Sequence, residues 1–485
     1  MGTINSAFSL MSQALDADQS ALNIVANNVA NASTPGYTEE TANWQENQPV
    51  EIGGSSYGTG ATVTGATSVR DKVLTERLDQ QQQLASASSA RLTALNSIQA
   101  LFTPDTGSTS STAGDIGSDI TSLFSSFSSL ETNPSNNSDR QAVLSAAKTL
   151  AGDISGAADS LNSQRSALDQ EASGVTSQVN SLTSSIAQLN LQIQSTSPDA
   201  DAGTLEDQRQ QDISQLSQLI GINQVTTENN GLEITTTTGQ LLVSNGTSTQ
   251  LTTGTVNGVT DFFLGGTDIT SQLASGGGEL GGYLTARDQD IPNVLNSLDQ
   301  LAYGVSTEVN SLNNAGTDYD GVEGTGTNSA GVTGTGTTPL YIFNEPTEVA
   351  GSAAALSVTM TDPNQIAAAG FGQGTGDNSN ATAMASLASS TSVNLNGQTA
   401  INYYSNFVST LGSTVSQAQT ENTAQTASVT QLQTQNDALS SVNLNDEASA
   451  MTTMERSYQA ASQVFAMLNT IMASALNLGE QSTVS

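Results

Sequence analysis

Near the start of the chain the apolar residues Ile4, Phe8, Met11, Leu15, Leu22, Val25 and Val29 recur at spacings of four and three, with Asp18 in the one slot between Leu15 and Leu22. That is a heptad repeat. It predicts an amphipathic helix from about Thr3 to Asn31 that needs a partner helix along its length, closed by a turn at Pro35 and Gly36. The far end of the chain mirrors it. Met451, Met454, Tyr458, Ala461, Phe465, Leu468, Met472 and Ala475 follow the same frame, with Asn445 or Asp446 placed to cap the helix and Gly479 to end it. One heptad helix at each terminus implies that the two pair with each other. A single helix of this kind buries too little apolar surface to offset the entropy of ordering its backbone. Both termini are therefore expected to be mobile in the monomer and to order on assembly.

Between the ends the period changes several times. Leu92, Leu95 and Phe102 mark a helix whose upstream seam is weakened by Gln81 and Ser88, and Ile116, Ile120, Leu123, Phe127 and Leu130 mark a shorter one. Ile154, Leu161, Leu168, Val175, Val179, Leu182, Ile186, Leu189 and Ile193 fit one heptad frame and predict a long left-handed packing seam. A helix from Leu205 to Ile220 follows, with Gly221 as its C-cap. Strands are predicted at 225–227, 232–236 and 241–244, with Asn230-Gly231, Asn245-Gly246 and Asn257-Gly258 as hairpin turns. Helix returns from Tyr283 to Asn313, interrupted or restarted at Pro292. Residues 316–397 read as loop and strand, with a flexible Gly/Thr-rich tract at 321–338, and a last internal helix begins near Asn402. The fold class is α+β, mainly helical: a terminal coiled coil plus a long helical bundle with inserted β-rich domains, nested rather than serial. The expected boundaries are 1–65 with 441–485 for a terminal coiled-coil assembly domain, 66–221 with 283–315 and 401–440 for the bundle, and 222–282 with 316–400 for an outer β-rich region.

Composition narrows the chemistry. The 485 residues include no Cys and no His, which removes disulfides, thiol nucleophiles, ordinary zinc sites and histidine-assisted nucleophilic catalysis. Net charge is -35, from 45 acidic and 10 basic side chains, and no basic residue precedes Arg70. Without a dense basic patch, nucleic acid and anionic membrane are poor partners, and the acidity reads first as a means of solubility. Aromatics are only 4%, so a thick aromatic core is not expected, but the strong apolar periodicity argues against disorder. The start lacks a cationic segment followed by a compact apolar run, and no run of about 18 apolar residues spans a membrane. An extracellular protein of this kind leaves by a route without a cleaved signal. Carboxylate pairs are the one common catalytic device left, but Trp44 is the only tryptophan and a sugar-stacking cleft has little support. The chain is read as a non-enzyme with no cofactor and no metal.

Two segments carry a resemblance. Asn27-Asn28-Val29-Ala30-Asn31-Ala32-Ser33-Thr34-Pro35-Gly36-Tyr37 resembles the N-terminal signature of flagellar rod, hook and hook-associated proteins, and Ser441-Val442-Asn443-Leu444-Asn445-Asp446-Glu447, followed by a heptad helix, resembles their C-terminal one. Within that group, residues 139–222, with Leu205-Glu206-Asp207-Gln208-Arg209 and Leu219-Ile220-Gly221-Ile222, look like the hook-associated protein 1 family. Leu280-Gly281-Gly282-Tyr283-Leu284-Thr285-Ala286-Arg287-Asp288 with Ile291-Pro292 looks like it too. The resemblance is thinnest over 225–270 and 316–399. One departure is Glu39 and Glu40, where the family often has a basic residue. The resemblance implies a hook–filament junction protein: a short ring of subunits with an inner coiled-coil layer and outward β domains. It implies as partners other copies of the chain, the hook protein, the second hook-associated protein of the junction, and an export chaperone on the C-terminal region. It also implies export through the flagellar type III apparatus to an extracellular place. A hook or rod subunit is the alternative, disfavoured by the internal heptads; a secreted adhesin would leave the paired terminal heptads unexplained.

Several residues invite sharper readings. Asn23, Asn27 and Asn31 lie on one helical face, either a turn-ending surface or, as the signature favours, an intersubunit hydrogen-bonding one. Tyr458, Phe465 and the neighbouring methionines read as core packing rather than a ligand stripe, with chaperone docking on that face before assembly as a further expectation. Asp318-Tyr319-Asp320-Gly321 with Glu323 misses the ligand spacing of a calcium loop and reads as an acidic turn. Gly324, Gly326, Gly331, Gly334 and Gly336 do not link a strand to a helix, so they are no phosphate cradle.

Overall fold

The computed structural model describes residues 2–52, 54–103, 115–196, 201–256 and 258–480. Helix α1 (Gly2–Asn31) leads into two antiparallel pairs, β1 (Glu40–Glu46) with β4 (Ala61–Ser68) and β2 (Val50–Ile52) with β3 (Ser55–Tyr57). Then come α2 (Lys72–Ala100), α3 (Ile116–Thr132), α4 (Asn137–Thr196) and α5 (Thr204–Leu219). A four-stranded antiparallel sheet follows, in the order β5 (Ile222–Thr226), β6 (Leu232–Thr236), β7 (Leu241–Ser244), β8 (Thr247–Ser248). A three-stranded meander is formed by β9 (Leu251–Val256), β10 (Val259–Leu264) and β11 (Thr267–Asp268). The chain continues through α6 (Thr270–Gly276), α7 (Gly278–Thr285), a π turn at Ala286–Asp290 and α8 (Ile291–Asn313). After the short helices α9 (Ser352–Ala355) and α10 (Ser379–Ser386), it returns through α11 (Ala400–Ser440) and α12 (Leu444–Glu480). The fold is mainly helical α+β.

Helix α4, 60 residues long, is the spine. At about 1.5 Å per residue it is about 90 Å long, and it serves two cores in turn. Its first part, with Leu150, Ile154 and Leu161, packs with Ile120 and Phe127 of α3, Leu298 and Val305 of α8 and Leu411 of α11. From Ala172 onward, Val175, Val179 and Ile186 pack instead with Leu216 of α5, Ile234 and Phe262 of the strands and Leu280 of α7. The heptad positions are buried as the pattern requires, except half-buried Leu182. Their covering is a succession of helices and sheets rather than one partner helix.

Helix α2 is longer than its apolar pattern shows. Asp71 caps it, its Oδ1 accepting from the Val73 and Leu74 amides at 3.0 Å. The weak seam at Gln81 and Ser88 is a polar one: Ser88 Oγ donates to Asn422 Oδ1 at 3.2 Å and Gln81 pairs with Gln425, both on α11. Gly282 lets α7 lie flush on α2, since a Cβ there would collide with the Ala87 carbonyl oxygen. Arg287, 1% exposed, ties the π turn to the second core, donating to Asp169 Oδ1 at 2.6 Å, to the Thr260 carbonyl at 2.7 Å and in bidentate fashion to Asp288.

The structure adds to or departs from the sequence reading at three places. Strand pairing at residues 40–68 is not anticipated by that reading, because β1 and β4 are short on apolar residues and bury none fully, β1 being mostly exposed and β4 half-buried. Residues 316–399 hold only isolated bridges besides short helices, and they pack on the first core, apart from the sheets after Gly221. Their backbone is satisfied by asparagines of α8 instead of by strands. Asn310 Oδ1 accepts from the Ile342 and Phe343 amides at 3.0 and 2.9 Å, Asn313 Oδ1 from Ala367 at 2.8 Å, and Asn314, just past the helix, from Thr325 and Leu340 at 2.9 and 3.0 Å. The glycine tract is accordingly close-packed rather than free: a Cβ at Gly324 would overlap the Asn314 carbonyl, and one at Gly334 that of Gly324. Finally, α12 starts at Leu444, with Asn443 Oδ1 accepting from the Asn445 amide at 3.1 Å, and it continues helical through Gly479. Asn443 is thus the cap, in place of Asn445 or Asp446. Asn257, expected in a hairpin turn, lies outside the described residues.

Candidate assembly site at the paired termini

Helices α1 and α12 pack on each other along the chain's two ends. They run antiparallel: Phe8 meets Phe465 with ring centroids 4.3 Å apart, and Asn28 meets Glu447 at 2.8 Å. On α12 the shielded stripe is Met451, Met454, Ala461, Phe465, Leu468 and Met472, all half-buried, while Tyr458 in the same frame is 39% exposed. On α1, Phe8, Met11, Leu15 and Leu22 are half-buried and Val25 is 8% exposed. The side chains of Ile4 and Ala475 lie outside the described residues. Val29 departs from the heptad, 38% exposed, and its place at the contact is taken by Asn28 at 1%. The cause is local. Helix α1 also packs on β1 and β4, and its most buried residues along with Val25 are Ala17, Asp18, Ala21 and Asn28.

Asn28 is the centre of the site. Its Nδ2 donates to Glu447 Oε1 and to the Glu40 carbonyl, both at 2.8 Å, and its Oδ1 accepts from the Tyr37 hydroxyl at 2.8 Å and the Glu40 amide at 3.0 Å. One side chain thus joins α1, β1, α12 and the turn before β1. That turn explains Thr34-Pro35-Gly36-Tyr37: the Tyr37 amide donates back to the Thr34 carbonyl at 3.2 Å, and Gly36 sits at φ +80°, where only glycine is unstrained. Asn27 and Asn31 finish the helix. Asn31 Nδ2 donates to Asn27 Oδ1 at 2.8 Å, and Thr34 Oγ1 to Asn31 Oδ1 at 3.3 Å. Of the C-terminal signature, Val442 is half-buried and Leu444 is 54% exposed.

A second clamp fastens this terminal unit to the bundle. Arg70 pairs with Asp207 and, at 3.4 Å, with Glu206 of α5, while the Thr38 amide donates to Asp207 Oδ2 at 3.2 Å. The Glu39 amide donates to the Ser440 carbonyl at 2.9 Å. Arg209 of the same α5 motif, 8% exposed, donates to Asn190 Oδ1 at 2.9 Å and the Asn230 carbonyl at 2.8 Å. Within the motif, Glu206, Asp207 and Arg209 are thus engaged in fastening α5 to its neighbours, while Gln208 is exposed.

Electrostatically the corner is acidic. Burial, reinforced by Glu39 and Asp446 and opposed by the Asn28 hydrogen bond, raises the Glu447 carboxyl above its ordinary value. Burial with Asp207 and Asp201 raises Glu40, and burial with four surrounding carboxylates raises the Tyr37 hydroxyl. Elsewhere burial pushes Asp79 to about 6 against hydrogen bonds from Gln224 and Gln210 at 2.9 and 2.8 Å. Burial and the neighbouring Asp153 push Asp119 to about 7. Asp79 is 1% exposed and held between α2, α5 and β5, a packing site rather than a cleft. Asp318 and Glu323 close their own turn, Asp318 Oδ1 accepting from Val322 at 2.7 Å and Glu323 Oε2 from Thr335 at 2.8 Å. Among the described residues no group of three acidic side chains could hold a metal ion.

Comparison with known proteins gives a consistent picture. Residues 105–328 match the model of the flagellar hook-associated protein FlgK helical domain, and residues 11–38 that of the flagella basal body rod protein. Flagellar hook-associated protein 1 of Salmonella typhimurium is 26% identical over 63% of this chain and 56% of its own length. That of Escherichia coli is 26% identical over 66% and 58%. The chain thus spans less than two thirds of these relatives, while the Bacillus subtilis protein of the same name is 25% identical over 96% of each. The solved flagellar hook junction protein FlgK from Burkholderia pseudomallei shares the fold, with a TM-score of 0.61 at 20% identity over 76% of this chain and all of that one.

Proposed function

We propose, from the premise that the chain belongs to the flagellar hook-associated protein 1 family, that it is a structural component of the bacterial flagellum, an adaptor ring that joins hook to filament and allows the filament to assemble. The supporting observation is the terminal unit: both family signatures meet at Asn28, and they present a helix pair whose outer faces remain exposed. In this reading residues 1–65 with 441–485 are the assembly unit. Its seam is Ile4, Phe8, Met11, Leu15, Leu22, Val25 and Val29 with Met451, Met454, Tyr458, Ala461, Phe465, Leu468 and Met472, the exposed members facing neighbouring subunits. The partners are further copies of the chain, the hook protein and the second hook-associated protein of the junction. An export chaperone holds the C-terminal helix beforehand. The role is mechanical, with no catalytic step, and its place is the extracellular flagellum, reached through the type III apparatus; no described helix is long and apolar enough to cross a membrane.

The test is electron microscopy of a deletion strain, with flagellin in the medium measured by blot. Hooks without filaments and flagellin lost to the medium are expected. Absence of hooks would move the protein to the rod or hook, and normal filaments would overturn the reading.

A further inference from the structure

The geometry points to a specific contact between copies of this chain: the Arg456 guanidinium of one copy docks into the acidic crook at Glu39, Asp446 and Glu447 of the next. It rests on the self-assembly proposed above and names the residues that carry it.

Arg456 is the only basic residue before position 70 or after 440. It is exposed on α12 and forms no ion pair among the described residues. Beyond it, Ala460, Val464, Met467 and Ile471 fall within about 80° of Arg456 around the helix, away from the stripe that meets α1. Val464, Met467 and Ile471 are 40%, 59% and 52% exposed. Helix α12 thus has a second, unpartnered face headed by a cation.

The crook supplies the complement. Glu447 is 6% exposed, its Oε1 is taken by Asn28, and its Oε2 is buried with no hydrogen-bond partner. Asp446 is exposed and Glu39 half-buried beside it, and their charges act on Glu447. Of the other cations, Arg70 donates to Thr38 beside Glu39 but is engaged by Asp207 and Glu206. A carboxylate oxygen left buried and unpaired is costly, and a guanidinium brings both donors and charge to such a cluster. Within one chain the pairing is out of reach, because Glu447 and Arg456 stand about 13 Å apart along the same helix. A second copy is the occupant favoured by charge. At net charge -35, like surfaces of this chain repel unless one of its few cations meets a carboxylate.

The chain has no cysteine, so Asp446→Cys with Arg456→Cys in the full-length protein gives a clean probe. Ten helical residues, about 15 Å, separate the two positions, which prevents an intrachain disulfide. Expressed in a strain lacking the native copy and oxidised on intact flagella, the double variant is expected to form a ladder of oligomers that either single variant lacks. Filaments present without a ladder would overturn the pairing while leaving the junction role standing. A cross-linked band of another mass would assign the crook to a foreign partner and also overturn it. Normal filaments in the deletion strain would remove the premise itself. Should the cysteines block assembly, charge reversal decides: Arg456→Glu is expected to lower filament number at least tenfold, and Asp446→Arg in the same chain to restore it. Wild-type filament number with Arg456→Glu, or no restoration, would contradict the contact.

Discussion

Asn28 can make four hydrogen bonds and makes all four, to groups on three separate segments. No other side chain of its size offers two donors and two acceptors in that plane, which gives the signature asparagine a physical reason. Asn28→Ala removes the acceptor of the Tyr37 hydroxyl and of the Glu40 amide and leaves Glu447 without its donor. A buried cluster so broken loses about 2–3 kcal/mol. Trp44, four residues along β1 from Glu40 and the chain's only tryptophan, is the natural reporter. Its fluorescence transition in urea is expected at a lower midpoint in the variant, with the helical circular-dichroism transition of the bundle little changed. An unaltered Trp44 transition would mean that Asn28 does not hold β1 to the terminal helices.

At the scale of elements, the terminal pair and the spine differ in kind. Helix α4 buries its heptad positions almost completely, whereas the α12 stripe is only half-buried against α1. In the monomer, amides at residues 5–25 and 451–474 are therefore expected to exchange much faster than those at 143–193 when followed by mass spectrometry. Protection of the termini equal to that of α4 would contradict their ordering on assembly. The same contrast explains what could be read from the chain alone. Heptads announced α1, α4 and α12 because a helix that packs along its length repeats its apolar residues. Asn28 was legible as part of a signature but not as a core position, since a buried amide carries no hydrophobic mark. Strands β1 and β4 carry few apolar residues and bury none fully, and the order at 316–399 comes from Asn310, Asn313 and Asn314, whose contacts lie across the fold.

At the scale of the molecule, one long helix spans two cores while the chain ends meet in a third, polar-centred unit clamped by Arg70, Asp207 and Thr38. Such a layout suits the proposed connector role, in which the bundle and sheets hold shape and the exposed terminal faces meet neighbours. The central claim is that these molecules sit where hook meets filament. It is tested most directly by inserting an epitope at the exposed tip between Ser329 and Ala330 and imaging immunogold on intact flagella. The account predicts gold confined to the hook–filament boundary. Labelling along the hook or the filament, or none on flagella in which the tagged protein is present by blot, would contradict it.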